Sequence, residues 1–172
     1  MEAVETYAGY WYGSVLWDLF SVKADQLYKS WNTCAKVVWG VPRSTHTYLL
    51  DNLLVANFLS VKQRLVGRYI NFVRNLFNSS SPEVCVVSSM VARCARSTTG
   101  KNLKNIERET GMDPWTDQSW KIQEAIQRRE VPKGEGWRIQ YLAKLLDARL
   151  EMKDQCQDLE EINSIIDSLC SS

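Results

Sequence analysis

Residues Asn57–Asn78 read NFLSVKQRLVGRYINFVRNLFN. At about 100° per residue this stretch separates into two unequal faces. Phe58, Val61, Leu65, Val66, Tyr69, Phe72, Val73 and Leu76 fall on one broad half, with Ile70 and Phe77 at its edge. Arg64, Arg68, Asn71 and Asn75 fall in a narrow stripe opposite. An apolar face that wide exceeds what a surface helix needs, so the stretch predicts a central helix touched on several sides. Its length would be about 33 Å at ~1.5 Å per residue. Lys62 interrupts the apolar side. Its stem is expected to lie on apolar surface while its amine reaches water.

Around this helix the pattern stays helical. Leu27, Trp31, Cys34 and Val38 recur at spacings of four, three and four, so residues 23–39 predict an amphipathic helix. Ser14 or Ser21 supplies a cap before it, and Gly40 a stop after it, with Pro42 beyond. Ser44 or Thr45 caps a short apolar segment, Thr47 to Ala56. Ser79-Ser80-Ser81-Pro82 is a break. Glu83 to Arg93 reads as a short helix with Val84, Val87 and Val91 inside, although its β-branched residues also allow a strand. Arg96 to Asn102 reads as a polar loop, and a helix follows it that stops at Gly111. Asp113-Pro114 predicts the start of another, running through Trp120, Ile122 and Ile126 to Glu130. After the linker at residues 131–136 come two more helices, Trp137 to about Gln155 and Leu159 to Cys170. No alternation of period two persists. The expected fold is all-α, an irregular multi-helix bundle around the helix at 57–78 with a C-terminal helical hairpin. The expected division is an N-terminal extension at 1–9, a helical domain at 10–130, and the hairpin with an acidic end at 131–172.

Composition narrows the function. The chain has 172 residues and 45% hydrophobic content, enough for a real core. No apolar run approaches the ~18–20 residues of a membrane span. The first residues carry Glu2 and Glu5 with no basic group, so no secretory signal is read and an intracellular setting is expected, nucleus or cytoplasm being unresolved. The five cysteines (Cys34, Cys85, Cys94, Cys156, Cys170) are expected to be reduced thiols. Residues 10–149 hold 20 Lys and Arg against 12 Asp and Glu, whereas residues 150–172 hold one Lys against six acids. A mildly basic body thus carries an acidic end.

Enzyme constellations fail. The single histidine, His46, excludes a histidine pair, and no Cys-x-x-Cys occurs. Thr99-Gly100-Lys101 resembles the end of a phosphate loop, but Ala95 stands where that loop needs its first glycine. Paired carboxylates (Glu107 with Glu109, Glu160 with Glu161) read as solvated helix faces. No catalytic residue, metal site, cofactor or small-molecule substrate is expected.

Tyr12-Gly13-Ser14-Val15-Leu16-Trp17, Leu27 to Asn32, Val38-Trp39-Gly40-Val41-Pro42 and Thr45-His46 follow one another along the chain. In that order they resemble the region after the catalytic palm in reverse transcriptases of jockey-like non-LTR retrotransposons. The likeness continues through Arg64 to Phe72 and through Ser97-Thr98-Thr99-Gly100-Lys101-Asn102-Leu103, similar to a Ser-x-x-Gly-x-Asn-Leu segment of that family. Trp137-Arg138 to Leu169-Cys170 is similar to the family's C-terminal tail. The resemblance covers about residues 10–172 and implies a thumb-like helical module. The family's polymerase centre needs an Asp-Asp pair and a third Asp to hold two Mg²⁺ ions, and no Asp-Asp occurs here. The resemblance therefore implies a non-catalytic C-terminal piece.

Its implied partners are an RNA–DNA or DNA duplex and a polymerase palm absent from this chain. The expected contacts to duplex backbone are Arg64 and Arg68 with Asn71 and Asn75, and a second, loop-borne group of Arg96, Lys101, Asn102 and Lys104. The alternative is a helical interaction or structural protein with no nucleic-acid role. In that reading the amphipathic ending, with Leu159, Ile162, Ile166 and Leu169, docks on another protein, unless the preceding helix covers it.

Overall fold

The computed structural model describes residues 13–51, 60–130, 132–151 and 156–171. Among them are eight α-helices and no strand, so the fold is all-α. They are α1 (Val22–Trp39), α2 (Thr47–Asp51), α3 (Val61–Phe77), α4 (Pro82–Arg93), α5 (Thr98–Thr110), α6 (Ser119–Glu130), α7 (Gly136–Glu151) and α8 (Cys156–Ser171). A 3₁₀ turn at Ser14–Leu16 precedes them. The expected N-terminal extension, the aromatics Tyr10, Trp11 and Tyr12, and the stretch from Asn52 through Phe58 lie outside the described residues.

Local chemistry sets most helix ends. Ser21 Oγ accepts from the Ala24 amide at 3.3 Å and opens α1. Ser81 Oγ accepts from the Val84 amide at 3.4 Å, with Pro82 in the first helical position of α4. Gly40 follows α1 with φ 59°, and Gly111 closes α5 with φ 69°, its amide bonding back to Glu107 O. Both glycines adopt the left-handed conformation that terminates helices.

Several boundaries differ from the sequence reading. The central helix starts at Val61 and ends at Phe77. The predicted polar loop shortens to residues 94–97, because Ser97 Oγ accepts from the Gly100 amide at 2.9 Å and starts α5 there. Residues 113–117 form a turn rather than the beginning of α6. The Asp113 carboxylate accepts from the Trp115 amide at 2.8 Å and from Thr116 Oγ1 at 3.0 Å. Local side-chain bonds of this kind compete with helix.

The chain divides into two compact units, one of residues 1–25 and 62–126, the other of residues 26–61 and 127–172. Residues 26–61 thus group with the C-terminal hairpin, whereas the boundary drawn from sequence at 130/131 put them with residues 62–126.

The second unit has its own core. Ala35 and Trp39 of α1, Leu49 of α2, Ile139, Leu142, Leu145 and Leu146 of α7, and Ile166, Leu169 and Cys170 of α8 are buried together. Ile162 and Ile165 pack against them. Ile162, Ile166 and Leu169 of the α8 stripe therefore pack within the unit, and Leu159 is half-buried. Arg138 ties the hairpin at one end, donating to Leu169 O at 2.8 Å and to Glu135 Oε2 at 3.0 Å. Arg149 donates to the carbonyls of Trp39 and Gly40 at the end of α1. A cation at a helix C-terminus satisfies carbonyls that lack helical partners and complements the dipole.

Candidate nucleic-acid interface

Helix α3 organises the first unit. Leu65, Val66, Tyr69, Ile70 and Val73 are buried on its broad face, as the periodicity predicts, and Phe72, Leu76 and Phe77 are half-buried. Two contacts place α5 antiparallel beside it. Lys62 Nζ lies 3.1 Å from Glu109 Oε2, and Tyr69 Oη donates to Thr99 O at 3.1 Å. Burial pushes the Tyr69 hydroxyl above its ordinary pKa. Lys62 is thus ion-paired as well as snorkelling, with its amine also 5.6 Å from the Phe20 ring centroid. Helix α6 approaches from another side. Gln123 Nε2 donates to Gln63 O at 3.0 Å across the small surface of Gly67. At the end of α3, Arg74 donates to Pro114 O at 2.7 and 3.0 Å and to Asp117 O, clamping the 113–117 turn.

Away from the Lys62 and Tyr69 contacts lies the predicted polar stripe. Arg68, Asn71 and Asn75 are exposed and Arg64 is half-buried. On a helix wheel the stripe sits roughly 140° round from the side that carries Lys62 and Tyr69. The row is fixed in direction because its helix is held on two sides, by α5 at Lys62 and Tyr69 and by α6 and the 113–117 turn at Gly67 and Arg74.

The second predicted group divides. Arg96, Lys101 and Lys104 are exposed, and Arg108, which sequence reasoning passed over, extends Lys101 and Lys104 at spacings of three and four. Asn102 does not belong with them. It is fully buried, its Oδ1 accepting from the Leu19 amide at 3.0 Å and its Nδ2 donating to Trp17 O at 2.7 Å. The loop reading put Asn102 at the surface. As the first turn of a helix, the same segment points it inward beside Leu103 and Ile106.

The basic residues of α5 lie opposite its buried face, and those of α3 lie away from α5. The two groups therefore do not converge on one surface.

Ser97 caps α5, and its single hydroxyl proton is shared between Val91 O and Cys94 O at 2.6 and 2.8 Å. A Cβ on Gly100 would stand 2.2 Å from Cys94 O, so only glycine fits. Asn102 holds the Trp17–Leu19 backbone, and Leu103 is in the core. All four positions serve the fold. Two of the segments on which the family resemblance rests, Tyr12–Trp17 and Ser97–Leu103, meet through the bond from Asn102 to Trp17 O.

Among the described residues no three His, Cys, Asp or Glu side chains gather closely enough to hold a metal ion. His46 is exposed and stacks on Tyr48, with 5.6 Å between ring centroids. A cleft of about 530 Å³ in the second unit is lined by Trp137, Tyr141, Glu135 and Arg138, but its two charged groups are paired with each other. No helix among the described residues is long and apolar enough to cross a membrane. Comparison with protein families, with characterised proteins and with solved structures returns no match.

Proposed function

We propose that this chain is a non-catalytic helical module that holds a nucleic-acid duplex by its backbone, in the manner of a reverse-transcriptase thumb. The observation that carries this reading is the row Arg64, Arg68, Asn71 and Asn75 along α3. From Arg64 to Asn75 the row runs about 17 Å, the rise of roughly five phosphates on one strand. Arginine and asparagine in such a row donate to phosphate oxygens without reading sequence. The family resemblance supplies the identity of the duplex, an RNA–DNA or DNA template–primer.

The test is a salt titration of the full chain with an RNA–DNA hybrid duplex. Binding is expected to fall with salt. Arg64→Ala with Arg68→Ala is expected to lower the log–log salt slope by about 2, one for each phosphate that is no longer neutralised. The Lys101→Ala/Lys104→Ala variant is expected to keep hybrid binding, because those residues lie on a different face. A folded protein that does not bind at low salt, or an Arg64/Arg68 variant that binds like wild type, would sink the reading.

A further inference from the structure

Helix α4 is oriented against its own amphipathicity. Its half-buried positions include Cys85, Ser88, Ser89 and Ala92, which are small or polar, while Val86, Val87, Met90 and Val91 are 59, 59, 67 and 37% exposed. The sequence reading put Val84, Val87 and Val91 inside; Val84 is half-buried, and Val87 and Val91 are exposed. The inversion has a local cause in the tight crossing of α4 and α5. The space above Gly100 is filled by the main-chain carbonyls of Cys94 and Ala92, so the end of α4 lies close against the first turn of α5. No residue of α4 is buried. Four large apolar side chains on one outward face are what a soluble protein keeps for a partner.

The partner is identified by the charges that bracket the stripe. Glu83 stands at the start of α4 and Arg93 at its end, both exposed. The Glu83 carboxylate accepts from Ser81 Oγ at 2.6 Å, and that bond holds it below its ordinary pKa, so it is ionised. An antiparallel second copy of the same helix, related by a twofold axis between Ser88 and Ser89, matches this pattern. Val87 then meets Met90 of the second copy, and Val86 meets its Val91. Glu83 comes within an arginine side chain's reach of its Arg93. Twofold contacts are reciprocal, so each apolar and charged match occurs twice. We propose that the outward face of α4 is a self-association surface through which two copies of this chain pair antiparallel. One helix face is smaller than the roughly 800 Å² per partner of a stable complex, so the dimer is a weak one that forms as concentration rises.

The experiment is sedimentation equilibrium of the full chain over rising concentration. The wild type is expected to shift toward twice its monomer mass. Val87→Glu is expected to remain monomeric throughout. It leaves helical circular dichroism unchanged, because the side chain is exposed. Glu83→Arg alone is expected to weaken pairing at least tenfold, and Glu83→Arg with Arg93→Glu to restore it. A monomer at every concentration, which would leave the face to a different partner, overturns the proposal. A dimer untouched by Val87→Glu, or a double charge reversal that fails to restore pairing, overturns it as well.

Discussion

Asn102 reaches across 83 residues of sequence to hold the backbone of Leu19, accepting from its amide at 3.0 Å while donating to Trp17 O. Both halves of the side-chain amide are used, and the site is closed to water. Such a bond adds little over its solvated equivalent, but its loss strands buried groups. Asn102→Ala is expected to destabilise the first unit by about 2–4 kcal/mol, since it removes the bonds to the Leu19 amide and the Trp17 carbonyl from a buried side chain. Asn102→Asp is expected to cost more, because it removes the donor and introduces a buried charge. Urea unfolding followed by tryptophan fluorescence measures both, and an Asn102→Ala variant as stable as wild type would refute the role.

Two glycines in the same unit provide a contrast. At Gly100 an added methyl meets the backbone carbonyl of Cys94, which cannot move without shifting the end of α4. At Gly67 it meets the end of the Gln123 side chain, which can swing away at the cost of one bond to Gln63 O. Gly100→Ala is expected to lose about 2–3 kcal/mol by overpacking. Gly67→Ala is expected to stay within about 1 kcal/mol of wild type, because better helix propensity offsets the broken hydrogen bond. Midpoints of denaturant unfolding for the two variants decide it. Equal losses would mean that Gln123 is held as rigidly as backbone.

Cys170 links stability to pH. Burial in the core of the second unit pushes its thiol above the ordinary value of 9.0. The folded chain then keeps the proton where the unfolded chain releases it, so this contribution is intact below about pH 9 and declines as pH rises beyond it. Lys36, whose amine is shifted down by burial, has the opposite sign at higher pH, so the comparison needs a variant. The fall in unfolding free energy between pH 8 and 10 is expected to be smaller in Cys170→Val than in wild type. Thiol labelling gives a second reading. The exposed Cys34 and Cys94 are expected to react in the native state, and Cys170 only on unfolding.

The helices themselves were legible because their signals are local. Apolar spacing marks α1, α3, α7 and α8. Ser81-Pro82, Gly40 and Gly111 mark ends through bonds that reach no more than a few residues. The Arg64, Arg68, Asn71 and Asn75 stripe was legible for the same reason, since one helix fixes which residues share a face. The loop reading of Arg96–Asn102 failed because Ser97 is a cap, and a cap resembles a turn until its acceptor is known.

Which way a face points was decided only in three dimensions. Val84, Val87 and Val91 read as interior by hydrophobicity, yet only Val84 is half-buried, while Val87 and Val91 are exposed beside Val86 and Met90. Asn102 read as surface by polarity, yet two backbone groups some 80 residues away gave it a buried place. Arg74 carried no signal, because its partners are carbonyls in a turn, which any sequence could present. The stripe of α8 was legible as apolar, but whether a partner or α7 covered it depended on chain topology. Periodicity settles how each helix divides into faces. Only packing settles what each face meets, because burial free energy depends on the neighbours that remove water and not on the side chain alone.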